Sequence, residues 1–281
     1  MLSEEEKNII TLLQTGEEKN VKLAYLLIKA NKASMDLSQY EEIFVWLRKE
    51  KRVKAAKWIE SKIKRLFTTK TLDLSHLKDK IMPKSLGHLT HIEILDLSEN
   101  GLKEIPNWLF SLIKLKKLYL NKNELIQWNE NIQCLTSLRA LYISNNALKT
   151  IPNTILKITS LSCLDISKNE LHQLPENICN LKKLTNLSLK GNALSSINAN
   201  IGMLENLSVL NLDDNELSEL PSEITNLKNL KRLFLRENKL EELPKGIAKL
   251  SGLEYLCLTG NPISSKQIGI YQKKLPNCLF I

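Results

Sequence analysis

The sequence predicts an α/β solenoid, in which stacked coils each give one short strand to a parallel sheet, preceded by a small helical segment. Three observations carry this. Asparagine recurs at a constant interval of 23 residues, from Asn100 to Asn261. Each of these asparagines sits in the same L-x-L-x-x-N-x-L frame, and residues 1–67 lack the frame but carry apolar residues at helical spacing.

The composition fits such a fold and excludes several others. A chain of 281 residues that is 43% hydrophobic and 25% charged can bury a sizeable core. With only 9 Gly and 8 Pro and no long uncharged apolar stretch, it reads as neither collagen-like, low-complexity nor transmembrane. The start, MLSEEEKNII, has neither a basic n-region nor a continuous apolar h-region, so no signal peptide is expected and the cytoplasm is the expected compartment. Secretion as an effector without a cleaved signal stays compatible with this. Five cysteines without a C-x-x-C pair fit reduced thiols better than a disulfide framework or zinc site. Usage rich in Lys, Asn and Ile points to a bacterial source.

The repeat marks are Asn100, Asn123, Asn146, Asn169, Asn192, Asn215, Asn238 and Asn261, in frames such as L95-D-L97-S-E-N100-G-L102 and L118-Y-L120-N-K-N123-E-L125. In L-x-L the leucines point to one side and the intervening residues to the other, as a short strand requires. One coil cannot bury its leucines alone, so coils must stack. The Asn sits where the chain leaves the strand, and its amide can donate to and accept from backbone groups of adjacent coils. Most coils add an aliphatic-Pro pair, Ile105-Pro106 for example, with Trp128-Asn129 and Ile197-Asn198 as departures. Proline there starts a 3₁₀ or extended return segment, with Ile155, Ile178, Ile201, Ile224 and Ile247 packing beneath it.

These motifs resemble the leucine-rich repeat family over about three-quarters of the chain. The 23-residue length with L-P-x-x-I resembles the subgroup found in bacterial cytoplasmic or effector proteins and in Ras-pathway scaffolds. The resemblance implies a horseshoe-shaped solenoid with a parallel sheet on its concave face, and a concave face that binds macromolecules.

The expected organisation is a helical N-terminal capping domain over 1–67 and repeats over 68–281. The latter divide into a degenerate first coil at 70–88, eight coils over about 89–263, and a capping helix and strand at 264–281. In the first coil Leu77 replaces the Asn, as in a terminal capping coil. A step of 23 from Leu256 and Leu258 places Leu279 and Ile281 at the inward positions of a last strand. The stretch before it, SSKQIGIYQKKLPN, should be a helix ending before Pro276. It resembles the C-terminal caps of bacterial leucine-rich repeat proteins, so no catalytic domain is expected to follow.

Enzymatic signatures are missing from the sequence. It has no G-x-x-x-x-G-K-[ST], G-x-G-x-x-G, G-x-S-x-G or H-E-x-x-H, so no catalytic residue and no cofactor is expected. His88-x-x-His91-x-Glu93 with His76 could suggest a metal site, but reads better as solvated polar residues at a coil edge. Much of the net charge of +9 lies in residues 48–66, with 9 basic and 2 acidic groups. Segment 48–65 reads first as the solvated face of a capping helix. The alternative is an anionic-surface or nucleic-acid site, for which Trp58 alone supplies little stacking. Cys163 and Cys257, on outward positions without a His beside them, read as packing thiols.

The outward strand positions are the sharper candidates. Tyr119 and Tyr142 should lie about 4.8 Å apart on adjacent strands, bracketed by Asp96 and Asp165. Arg232, Phe234, Arg236 and Tyr255 form a second cluster. Tyr and Arg are enriched at interface hot spots, although aromatics also suit strands for their own sake. The expected function is a non-enzymatic protein–protein interaction module or scaffold, monomeric, with a protein partner on these eight residues.

Overall fold

In the computed structural model, residue 11 and residues 68–77 and 82–281 are described. The expected helical cap over 1–67, residue 11 excepted, and with it the basic segment 48–65, lies outside these residues. Ten strands are described, all in one parallel sheet in sequence order: β1 (Thr71–Asp73), β2 (Ile94–Asp96), β3 (Lys117–Tyr119), β4 (Ala140–Tyr142), β5 (Cys163–Asp165), β6 (Asn186–Ser188), β7 (Val209–Asn211), β8 (Arg232–Phe234), β9 (Tyr255–Cys257) and β10 (Leu279–Phe280). Between strands the chain returns through short 3₁₀ segments, and before β10 through helix α1 (Ser265–Lys274). This is the leucine-rich-repeat solenoid that the periodicity predicts.

In β1 to β9 the middle leucine of each strand and the aliphatic residue two positions on, such as Leu95 and Leu97, are buried, as are the return isoleucines Ile155, Ile178, Ile201, Ile224 and Ile247. Strand and return segment thus close one continuous apolar core around each coil. Pro83, Pro106, Pro175 and Pro221 stand immediately before 3₁₀ segments with φ between −61° and −66°, the value their rings impose. Where Asn129 replaces proline, its Oδ1 accepts from Asn131 N at 3.0 Å, so a side chain does the work of the ring.

The asparagines form a ladder. Asn169 Oδ1 accepts from Leu148 N at 3.0 Å, while Nδ2 donates to Ile143 O in the preceding coil and to Ile166 O in its own. Asn123 Oδ1 accepts two amides, Asn100 N and Leu102 N. In the degenerate coil Leu77 is buried, and its N donates to Asn100 Oδ1 at 2.6 Å. The residue before each ladder asparagine turns the chain with positive φ, from 50° at Glu237 to 77° at Gly260, and only Gly191 and Gly260 do so without a Cβ.

Two expectations fail. Leu279 and Ile281 are not inward: Leu279 pairs with Tyr255 and Phe280 with Leu256, so Phe280 meets the core while Leu279 and Ile281 are more than half exposed. Helix α1 replaces a 3₁₀ return and lengthens the last step to 24 residues, and a slip of one residue flips every side chain to the other face. His91 is buried at 3% exposure rather than solvated. His88 is exposed, and His76 Nδ1 lies 2.9 Å from Glu99 Oε2, so these groups do not converge. Among the described residues no group of His, Cys, Asp or Glu is placed to hold a metal ion, and no helix is long and apolar enough to cross a membrane.

Candidate functional site on the strand face

Parallel pairing in a constant register stacks the outward residues into columns along the sheet. Asp96, Tyr119, Tyr142 and Asp165 are consecutive in the middle column, each one strand from the next. The Tyr119 and Tyr142 rings stack with centroids 4.7 Å apart and planes within 5°. That separation matches the strand spacing of about 4.8 Å, so the backbone sets the stack. Both tyrosines are half-buried, and burial together with a hydrogen bond donated to Cys163 pushes the Tyr142 hydroxyl up to about 12. The Cys163 thiol is raised by burial, against the opposing pull of that hydrogen bond.

The flanking aspartates serve the fold as well. Asp96 Oδ1 accepts from Ser98 N at 2.8 Å and Asp165 Oδ1 from Ser167 N at 3.0 Å, each closing an Asx turn at the strand exit. Where an aromatic occupies the column, it cannot make that bond. Ser144 N instead donates to Asn121 Oδ1 and Arg236 N to Asp213 Oδ1, both one coil earlier. Asn121 and Asp213 thereby release Tyr142 and Phe234 from that duty, and neither was evident from the repeat pattern. Asp213 is buried, which raises its carboxyl despite the Arg236 amide and Lys190.

The second cluster lies five strands further on. Phe234 and Tyr255 meet at 5.4 Å with rings tilted by 45°. Arg232 is exposed and pairs in register with Tyr255; Arg236 follows Phe234 by two residues, its Nη2 3.9 Å from Asp214 Oδ1. Lys190 Nζ lies 3.1 Å from Asp214 Oδ2. The eight candidate residues therefore fall into two groups on one face rather than one site. Cys257, beside Phe234 in register, is buried. Off the strand face, a groove of about 460 Å³ gathers Lys116, Arg139 and Lys183 with three serines. Its Ser160 and Ser162 hydroxyls already donate to backbone carbonyls, and Lys116 is tied to Glu93.

The family profile described as "Leucine-rich repeat region" matches residues 127–215 and 192–272, more than half of the chain, and "Leucine Rich Repeat" matches 91–112. The chain belongs to the leucine-rich repeat family. Similar solved structures include an internalin, inlF, from Listeria monocytogenes, at 26% identity and a TM-score of 0.65 over 76% of this chain and 60% of that one. The plant peptide hormone receptor RGFR1, solved with RGF2, is 30% identical with a TM-score of 0.65 over 76% of this chain and 36% of its own. The ectodomain of the Arabidopsis thaliana receptor kinase GASSHO1/SCHENGEN3, solved with CASPARIAN STRIP INTEGRITY FACTOR 2, is 33% identical with a TM-score of 0.58 over 65% and 23% of the two chains. This leucine-rich repeat chain thus spans less than two thirds of each of them. No curated protein sequence matches it. The leucine-rich repeat fold is a common protein–protein interaction module, and proteins of this family are generally non-enzymatic binding modules.

Proposed function

We propose that this leucine-rich repeat chain is a non-enzymatic interaction module or scaffold that binds a protein partner on its concave strand face. The observation that carries the reading is the pair of aromatic clusters on outward positions, Tyr119 with Tyr142 and Phe234 with Tyr255. The amides two residues after Tyr142 and Phe234 are served by Asn121 and Asp213, so these two rings are free of the turn-closing role that Asp96 and Asp165 perform. Rigid aromatics are residue types that anchor interfaces, as are the arginines that adjoin the second pair. That the two plant receptors were solved in complex with CASPARIAN STRIP INTEGRITY FACTOR 2 and with RGF2 supports the same reading by analogy of fold. The candidate contacts are Asp96, Tyr119, Tyr142, Asp165, Arg232, Phe234, Arg236 and Tyr255. A cytoplasmic monomer of bacterial origin, acting in its own cell or delivered as an effector, is the setting we propose.

The experiment is calorimetry of Tyr119→Ala with Tyr142→Ala against the partner recovered by pull-down. The double variant should weaken binding by more than about 2 kcal/mol, since anchor aromatics dominate interface energies. Unchanged affinity in a folded double variant would show that the partner does not dock on the concave face.

A further inference from the structure

Each aromatic pair on the concave face has ionic neighbours of a different sign. Around the first pair the middle column reads Asp96, Tyr119, Tyr142, Asp165 over four consecutive strands. The ring stack repeats the strand spacing, so the outer face of Tyr119 looks along the sheet towards Asp96 and that of Tyr142 towards Asp165. An aspartate is much shorter than a tyrosine, which leaves a slot about one strand spacing wide, ~4.8 Å, beside each outer face. Both carboxylates are held in place by the Asx bonds to Ser98 N and Ser167 N. A planar cation that stacks on a ring while forking onto a carboxylate fits this arrangement, and that is the chemistry of a guanidinium rather than an ammonium. Lys117, two residues before Tyr119, lies in the adjacent column and is exposed; its ammonium acts on the Cys163 thiol beside Tyr142, so a ligand guanidinium must compete with it or displace it.

The second pair has the opposite surroundings. Arg232 adjoins Tyr255 in register and makes no ion pair among the described residues, while the Arg236 guanidinium makes one long ion pair, 3.9 Å from Asp214, and a weaker electrostatic contact with Asp213. This end suits a carboxylate.

We infer that the concave face takes an extended protein segment in one orientation, an arginine of the segment stacking on the tyrosine pair against Asp96 or Asp165 and a carboxylate meeting Arg232 and Arg236. Five strand intervals separate the middle of β3–β4 from the middle of β8–β9, about 24 Å at ~4.8 Å each, which an extended chain covers in about seven residues. The inference rests on the concave-face reading and adds to it the chemistry and spacing of the ligand.

The test is panning of a random 12-residue peptide library on the full chain, followed by titration of a synthetic enriched peptide. Enriched sequences should share an arginine and an acidic residue about six to eight positions apart. Asp96→Asn with Asp165→Asn, which keeps the Oδ1 acceptors for Ser98 and Ser167, should weaken the peptide about tenfold or more, and changing the peptide's arginine should then add little. Arg232→Glu with Arg236→Glu should weaken it comparably, with recovery by a peptide carrying arginine in place of its acid. Enrichment without that charge pair, affinity indifferent to both charge variants, or no enrichment at all overturns the inference. If such peptides still require Tyr119 and Tyr142, the concave-face reading survives alone; if they do not, both fall.

Discussion

Removing one rung of the asparagine ladder should destabilise the chain by an amount set by the bonds that rung makes. Asn169 is 8% exposed and serves four backbone groups: Leu148 N through Oδ1, and Ile143 O, Ile166 O and Ser167 O through Nδ2. The carbonyls are not all orphaned by Asn169→Ala. Ile143 O retains Asn146 Nδ2, and Ile166 O retains Asn192 Nδ2. Leu148 N loses its side-chain acceptor, and a buried donor left unmade costs about 1–3 kcal/mol. Asn123→Ala should cost more, because Asn123 Oδ1 accepts from both Asn100 N and Leu102 N. Urea melts followed by circular dichroism should therefore rank wild type above Asn169→Ala and Asn169→Ala above Asn123→Ala. A change within about 0.3 kcal/mol for Asn169→Ala, or the reverse order for the two variants, would refute the ladder as a source of stability.

Three further outcomes follow from other contacts. Gly202→Ala should destabilise by about 1–3 kcal/mol in the same melts, because a Cβ there would sit 2.3 Å from Glu223 O, a backbone atom that cannot swing aside. Tyr271→Phe, in α1, should cost about 1–3 kcal/mol, since its hydroxyl accepts from Leu243 N at 2.7 Å and fastens the helix to the last return segment; an unchanged midpoint would show that the helix packs without that bond. Tyr142 should ionise near 12 in an ultraviolet titration. Its raised value means the folded state holds the proton more tightly, so this contribution is present below about pH 10 and is lost as pH rises towards 12. Cys163→Ala should bring that titration closer to the ordinary tyrosine value.

The repeat made the strands, their order and their register legible because a period of 23 residues fixes which leucine stacks on which, and nothing but stacking can bury them. The stacked tyrosines were legible for the same reason: equal positions in successive coils must lie one strand spacing apart. What escaped the sequence were features that the period does not encode. Phe280 faces the core in place of Leu279 because α1 adds one residue to a coil, a change of length that no motif marks. The dual role of Asp96 and Asp165 was hidden because an aspartate on an outward position reads as solvated until its Oδ1 is seen to close a turn. Asn121 and Asp213 reach across coils to amides 23 residues away, a relation visible only once the coils are stacked. His91 looked solvated because equivalent positions carry polar residues, yet its coil packs it inside.

The central claim is that a partner lies on the concave face, and site-specific photo-crosslinking tests it even while that partner is unidentified. A photoreactive residue at Lys117, Asn186 or Arg232 reports from exposed outward strand positions, and one at Ile113 or Glu205 from exposed turns between return segment and strand. The same protein adduct is expected from the three strand positions, and none from the two turns. An adduct formed from Ile113 or Glu205 but not from the strand face would contradict the claim.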